Sequence, residues 1–286
     1  MEIKQKLKIR RCQMMIKRTR QTRNESPGTT EKKPRYGFIA IRPFLTIGIV
    51  GVAGWMVAIT GILRLEGLGR WVTLTVAGMI GIIGTWVAVS YIPLYFLVLR
   101  PRGNENFWAN QFTKHGISGK LVAIDAGCGT GQVTIEVAKA LPDAHVTGID
   151  IFKGMSGTSP GQPTRNAKIE GVSDRVTFKK GNLLDLPFPD NSVDVVTVGS
   201  VLHEIDSDEN RKAALEEIKR VLKPGGYFFT VELLRDWRMI LAMLVFAPVW
   251  KTGKYWKELL LNAGYSSLDV GLETRMLNMG VYCMQK

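Results

Sequence analysis

Cysteine and histidine are scarce in this 286-residue chain, and that scarcity excludes several kinds of site. Cys12, Cys128 and Cys283 lie far apart with no CxxC spacing, so neither a disulfide framework nor a zinc site is indicated; a reducing compartment is expected. The histidines, His115, His145 and His203, are not paired at metal-ligand spacing, and no metal is expected. Acidic residues are thin at the start of the chain. Residues 1–42 hold 13 Lys/Arg against 3 Asp/Glu, net +10, whereas the rest holds 25 against 22, net +3. The overall charge of +13 therefore describes a basic tail on a nearly neutral body, not a basic globular surface. Aromatic residues are absent from the tail before Tyr36, so nucleic-acid binding is not expected and contact with anionic headgroups is.

Charge is missing altogether from two long runs. Phe44–Leu63, 20 residues, is bounded by Arg42 and Arg64, and Trp71–Leu99 is longer still, with Pro93 marking a break. At about 1.5 Å per helical residue each reaches across a hydrocarbon core of roughly 30 Å. Gly48, Gly51 and Gly54 in the first run, and Gly78, Gly81 and Gly84 in the second, place small residues at helical spacing for close contact. The expectation is a transmembrane hairpin over residues 43–100, with helices at 44–63 and 71–99 joined by Arg64–Arg70. Cations before Phe44 and after Leu99 (Arg100, Arg102, Lys114, Lys120) place both termini in the cytoplasm by the positive-inside rule. A cleaved signal peptide is not expected, because the apolar run starts after 40 residues and is too long for one.

From residue 101 to 286 the pattern changes to apolar strands alternating with helical stretches, the mark of an α/β domain with a mainly parallel sheet. Seven strands are expected: KLVAID, AHVTGID, RVTFKKG, SVDVVTVG, GGYFFTVE, SSLDVG and GVYCMQ. Helices are expected at Gln132–Leu141, Asp208–Leu222 and Lys254–Ala263. The first strand ends in Asp125, followed by Gly127, Gly129 and Gly131 at alternate positions. A third glycine at the dinucleotide spacing is lacking, since Gln132 or Thr134 stands there, and this argues against a nicotinamide dehydrogenase. The second strand ends in Asp150, 19 residues after Gly131, where an acid can accept bonds from a ribose diol.

Four blocks, VAIDAGCGTG, VTGIDIFKGM, KKGNLLDLPFPDNSVDVV and IKRVLKPGGYFFTVE, stand in one order over Lys120–Lys286. In them the chain resembles the class I S-adenosylmethionine-dependent methyltransferases, nearest the ubiquinone/menaquinone-biosynthesis type, with an added N-terminal two-helix anchor. The resemblance implies a Rossmann-like seven-stranded sheet with helices on both faces and S-adenosylmethionine as cofactor. It implies that Asp125, Gly127, Gly129 and Gly131 hold the methionine part of the cofactor and that Asp150 holds the ribose. Where the family usually has an aspartate accepting from adenine, this chain has Asn182, whose amide oxygen accepts the same bond without charge. Leu183 is then an apolar neighbour of the ring.

His203, in VGSVLHEIDSDEN after the fourth strand, is the candidate general base for a hydroxyl or an activated carbon acid; packing beside the cofactor is the alternative. The stretch Phe152–Val172 reads as an extended loop, either a surface loop or a lid that brings Ser156 or Arg165 to an acceptor. The uncharged run Met239–Trp250 is too short to span a bilayer and reads as a core helix or an interfacial element flanked by Arg235, Arg238, Lys251 and Lys254. The expected function is membrane-anchored methyl transfer to a small or lipophilic acceptor, a quinone precursor or other lipid; the alternative is a non-catalytic S-adenosylmethionine-binding sensor or scaffold.

Overall fold

Residues 33–34, 36, 41–94, 106–153, 161–274 and 278–286 are described by the structure, a computed structural model. Most of the basic tail, with Cys12, lies outside the described residues, as does Ser156.

Two helices, α1 (Ile41–Arg64) and α2 (Gly67–Leu94), form an antiparallel hairpin. Only Leu65 and Glu66 separate them, a shorter link than the expected Arg64–Arg70. The difference has a simple cause: loss of charge marks the apolar span, while the helix itself runs on through Arg70, and Gly67 at φ +55° allows the reversal. At Gly51 and Gly84 an added Cβ would lie 2.5 and 2.3 Å from the facing Cα, so the backbones touch where only glycine permits it. Trp55 packs over Gly81 and donates from Nε1 to Thr85 Oγ1 at 3.0 Å. Gly78, expected in this seam, is buried beside Ala77, but a Cβ added there would meet nothing within 4 Å, and it is the Ala77 carbonyl that packs against Gly54. The outer faces expose Ile49, Val52, Met56, Leu63 and Met79. Both helices are long and apolar enough to cross a membrane, and only 22% of each span is buried, unlike a core helix.

After α3 (Phe107–Lys114), the chain builds β1 (Val122–Ala126), α4 (Gln132–Ala140), β2 (His145–Asp150), α5 (Gly161–Ile169), β3 (Val176–Lys180) and β4 (Val193–Gly199). There follow a 3₁₀ turn at Leu202–Glu204, α6 (Asp208–Val221), β5 (Leu222–Leu233), α7 (Trp237–Met243) and a 3₁₀ segment Leu244–Val249. The domain closes with α8 (Gly253–Asn262), β6 (Ser266–Thr274) and β7 (Asn278–Gln285). All seven expected strands form one sheet in the order β3-β2-β1-β4-β5-β7-β6, parallel from β3 to β5, with β7 antiparallel to both neighbours.

Alternation along β1 sends Ala123 to one face and Ile124 and Ala126 to the other, so apolar cores form on both sides. One core lies under α6 and α8 around Trp256 and Phe228; the second lies under α3 and α4 around Phe112, Ile135 and Phe229. Each such side chain, fully removed from water, contributes about 1.5–3 kcal/mol. The reading of Phe152–Val172 as a loop is corrected over Gly161–Ile169, which is helical. Pro163 sits in the first turn of α5, where its missing N–H costs nothing, and Asn166 is buried and donates to the Thr130 carbonyl at 2.8 Å. Packing against the glycine loop thus overrides the local turn signals. The uncharged run after β5 splits into α7 and the 3₁₀ segment: Met239 and Ala247 are buried, while Trp237, Ile240 and Val249 are exposed. Helix α7 also contacts α2 of the hairpin.

Candidate active site

The C-terminal ends of β1, β2, β4 and β5 converge, as an open parallel sheet requires of a ligand crevice. Asp125 is 1% exposed, and its carboxyl faces protein rather than solvent: Thr134 donates to it at 2.6 Å from α4 and Thr197 at 3.1 Å from β4. Burial pushes this carboxyl up to about 6, against the opposing pull of the two threonine hydroxyls. Asp125 therefore ties three elements together beneath the glycine loop.

Above it, Gly127 and Cys128 donate their N–H groups to the Ile149 carbonyl at 2.7 and 3.0 Å, and Gly129 donates to Asp150 Oδ2 at 2.8 Å. The second Asp150 oxygen accepts from Phe152 N at 2.7 Å. A Cβ on Gly127 would strike Val201, and one on Gly131 would strike Pro163 and Phe178, whereas Gly129 faces open space at φ +49°. The loop thus leaves a bare stretch of backbone at Gly129, beside a carboxylate that retains unused acceptor capacity. Cys128 is buried and its thiol is pushed far above the ordinary range by burial, with Asp125 and Asp150 adding to the effect; it is a packing residue.

Next to Asp150 opens a cleft of about 430 Å³ lined by Ile151, Lys153, Lys180, Gly181 and Asn182. Asn182 is exposed at this cleft, its Oδ1 accepting from Leu184 N at 3.1 Å. Leu183 is 9% exposed and packs into the core with Ile149 and Leu186; the apolar residue that meets the cleft is Ile151, 47% exposed. An exposed isoleucine directly after the acid of β2 was the available signal for it.

His203 sits in the 3₁₀ turn after β4, and its Nδ1 is 2.8 Å from Oε2 of Glu232, a wholly buried residue near the end of β5. The other Glu232 oxygen accepts from Val201 N at 3.1 Å and Leu202 N at 2.9 Å. Burial by itself lowers the His203 pKa, but the hydrogen bond to Glu232, its charge and that of Glu204 outweigh it, so the imidazole titrates above its ordinary value. The Trp250 ring lies 6.0 Å from the His203 ring. Arg211, 5% exposed, donates to the Leu202 and Ile205 carbonyls at 3.1 and 2.5 Å and so clamps the same turn from α6. Two non-glycine residues with positive φ, Phe152 (48°) and Ser200 (57°), flank the site at the ends of β2 and β4, where strained backbone tends to collect. Glu232 and Arg211 escape a reading of the sequence, and Trp250 stands out there only as the end of an uncharged run, although Glu232 closes an apolar strand much as Asp125 and Asp150 do. Arg165 lies on the exposed side of α5, bonded to Gln162.

The sheet order, the glycine loop and the acid after it lie in one matched stretch that points to a class: residues 124–230 match the methyltransferase domain family. Within that class, the chain is 37% identical over 130 residues to a demethylmenaquinone methyltransferase of Symbiobacterium thermophilum, covering 45% of this chain and 49% of the relative. It is 37% identical over 132 residues to a sterol 24-C-methyltransferase of Gibberella zeae, covering 46% and 32% respectively. The chain thus spans about half the length of the first relative and a third of the second. In fold it resembles a SAM-dependent methyltransferase from Aquifex aeolicus, with a TM-score of 0.51 at 20% identity over 70% of this chain and 96% of that one.

Proposed function

We propose that the chain is a membrane-anchored methyltransferase that moves a methyl group from S-adenosylmethionine to a lipophilic acceptor. The observation that carries the reading is the conjunction of the Gly129–Asp150 cradle with the segment Trp237–Trp250, uncharged from Met239 onward, which reaches both the turn that bears His203 and the hairpin. Gly129 backbone and the Asp150 carboxylate would hold the methionine and ribose parts of the cofactor, and Ile151 and Asn182 would meet its adenine. Bound there, the sulfonium supplies an already activated methyl, so the protein's own task is to hold a nucleophile in line and keep water out. His203 would accept the proton the acceptor loses, as an imidazole must be neutral to do. The acceptor site would lie beside Trp250, and contact between α7 and α2 supports entry from the apolar side of the hairpin. That both kinds of curated relative are named for quinone or sterol methylation supports an acceptor of this type.

In this reading residues 1–42 are a cytoplasmic basic tail, 43–100 the membrane hairpin and 101–286 the catalytic domain, with both termini in the cytoplasm. Calorimetry with S-adenosylmethionine followed by radiolabel transfer to native membrane lipids tests it. Wild type should bind the cofactor and label a lipid, and Asp150→Ala should weaken binding by on the order of ten-fold or more, through loss of a charged hydrogen-bond acceptor. Binding with no labelled product would favour a sensor or scaffold instead. Wild-type affinity in Asp150→Ala would sink the site assignment.

A further inference from the structure

The Glu232 carboxyl is the least expected group near the catalytic turn, because a wholly buried carboxyl is costly and an apolar residue of similar size is often no worse for stability. Its three contacts explain what it does. A carboxylate has no proton to give, so the N–H groups of Val201 and Leu202 and the Nδ1 of His203 must all donate to it. With Nδ1 carrying the proton, the only basic atom of the neutral ring is Nε2. On its carbonyl side the same turn is held by Arg211, so backbone and ring are fixed from β5 and α6 together.

We infer that Glu232 is a positioning residue for His203: it fixes the imidazole with its proton on Nδ1 and leaves Nε2 as the base toward the acceptor. The catalytic consequence rests on the reading of His203 as that base; the tautomer itself does not. Glu232 touches no acceptor in this scheme and acts only through the ring. The charged groups that face His203 are Glu232 from β5, Glu204 from its own turn and Arg211 from α6, with the uncharged Trp250 ring beyond. In Glu232→Gln, two backbone N–H groups still require the side-chain oxygen, which turns the amide NH₂ toward Nδ1. That group donates, so the neutral ring must place its proton on Nε2 and present no basic atom there.

The chain has three histidines, so nitrogen spectra of the full-length protein, histidine-labelled and held in lipid nanodiscs, resolve each ring. A His203→Gln sample identifies the His203 signals. In wild type His203 is expected to titrate above its ordinary value and, once neutral, to be protonated at Nδ1; transfer should then fall as pH drops through that raised value. In Glu232→Gln the proton should move to Nε2, the titration should fall, and radiolabel transfer should drop by on the order of 10²-fold or more while S-adenosylmethionine still binds. A wild-type ring protonated at Nε2 overturns the inference without need of any variant, as does a Glu232→Gln ring that keeps its tautomer and titration. Full turnover by His203→Ala beside a switched tautomer in Glu232→Gln overturns the base reading and leaves the ring's orientation by Glu232 standing.

Discussion

Asp125 has both carboxyl oxygens committed to threonine hydroxyls in a fully buried position, and its pKa is raised to about 6. An acid whose folded pKa lies above its unfolded value, 3.8 here, holds more protons when folded. Its contribution to stability is therefore greatest below the unfolded value and is lost as pH rises through about 6. A shift of about two units corresponds to ~3 kcal/mol. Asp125→Asn keeps the shape and pairs with the same hydroxyls without a charge. Denaturant unfolding across pH 4 to 7 should show the asparagine variant gaining on wild type by up to about 3 kcal/mol as pH rises; a difference that does not change with pH would show that the carboxyl is not the titrating group. The sequence made Asp125 visible as the acid before a glycine loop, but its hydroxyl partners lie 9 and 72 positions away and only folding brings them together.

At the scale of elements, the hairpin rests on contact between two glycine backbones. A side chain at Gly84 would begin 2.3 Å from Gly51 Cα, so Gly84→Leu must push α1 and α2 apart, at a cost of about 1–3 kcal/mol for overpacking. The added Cβ of Gly48 lies 3.5 Å from Ala88 Cβ, close enough for a disulfide, so a Gly48→Cys, Ala88→Cys pair should cross-link under mild oxidation. Adding Gly84→Leu should suppress that cross-link, and an unchanged rate would mean the glycine contact does not set the helix spacing. The presence and the type of these helices were legible because twenty or more uncharged residues admit few other readings. Their ends were not, since Arg70 ends an apolar span without ending a helix. The same limit applied to Gly161–Ile169, whose Gly, Ser and Pro context reads as loop while Asn166 and Pro163 pack it against the glycine loop.

At the scale of the whole molecule, charge and apolar surface are divided between segments. The net +10 of residues 1–42 invites purely electrostatic attachment, whereas the exposed faces of α1 and α2 invite insertion. Salt separates the two. At about 1 M ionic strength the screening length falls to ~3 Å, so a chain held by its tail alone should leave the membrane fraction. Sedimentation after high-salt and alkaline carbonate washes should instead leave this chain in the pellet, with release only by detergent. Release by salt would remove the hairpin from the functional reading.

Pattern and spacing were sufficient for the seven strands, the glycine loop with Asp150 after it, and the two apolar helices, because each is a local or periodic feature written over a few residues to a few turns. Tertiary structure alone decided that Asp125 faces inward, that Ile151 and not Leu183 meets the cleft, and that His203 is held by Glu232, 29 residues away. These depend on which face of a strand meets which neighbour across the sheet. A one-residue change of register would turn Asp125 and Glu232 to the opposite face of the sheet without altering the composition.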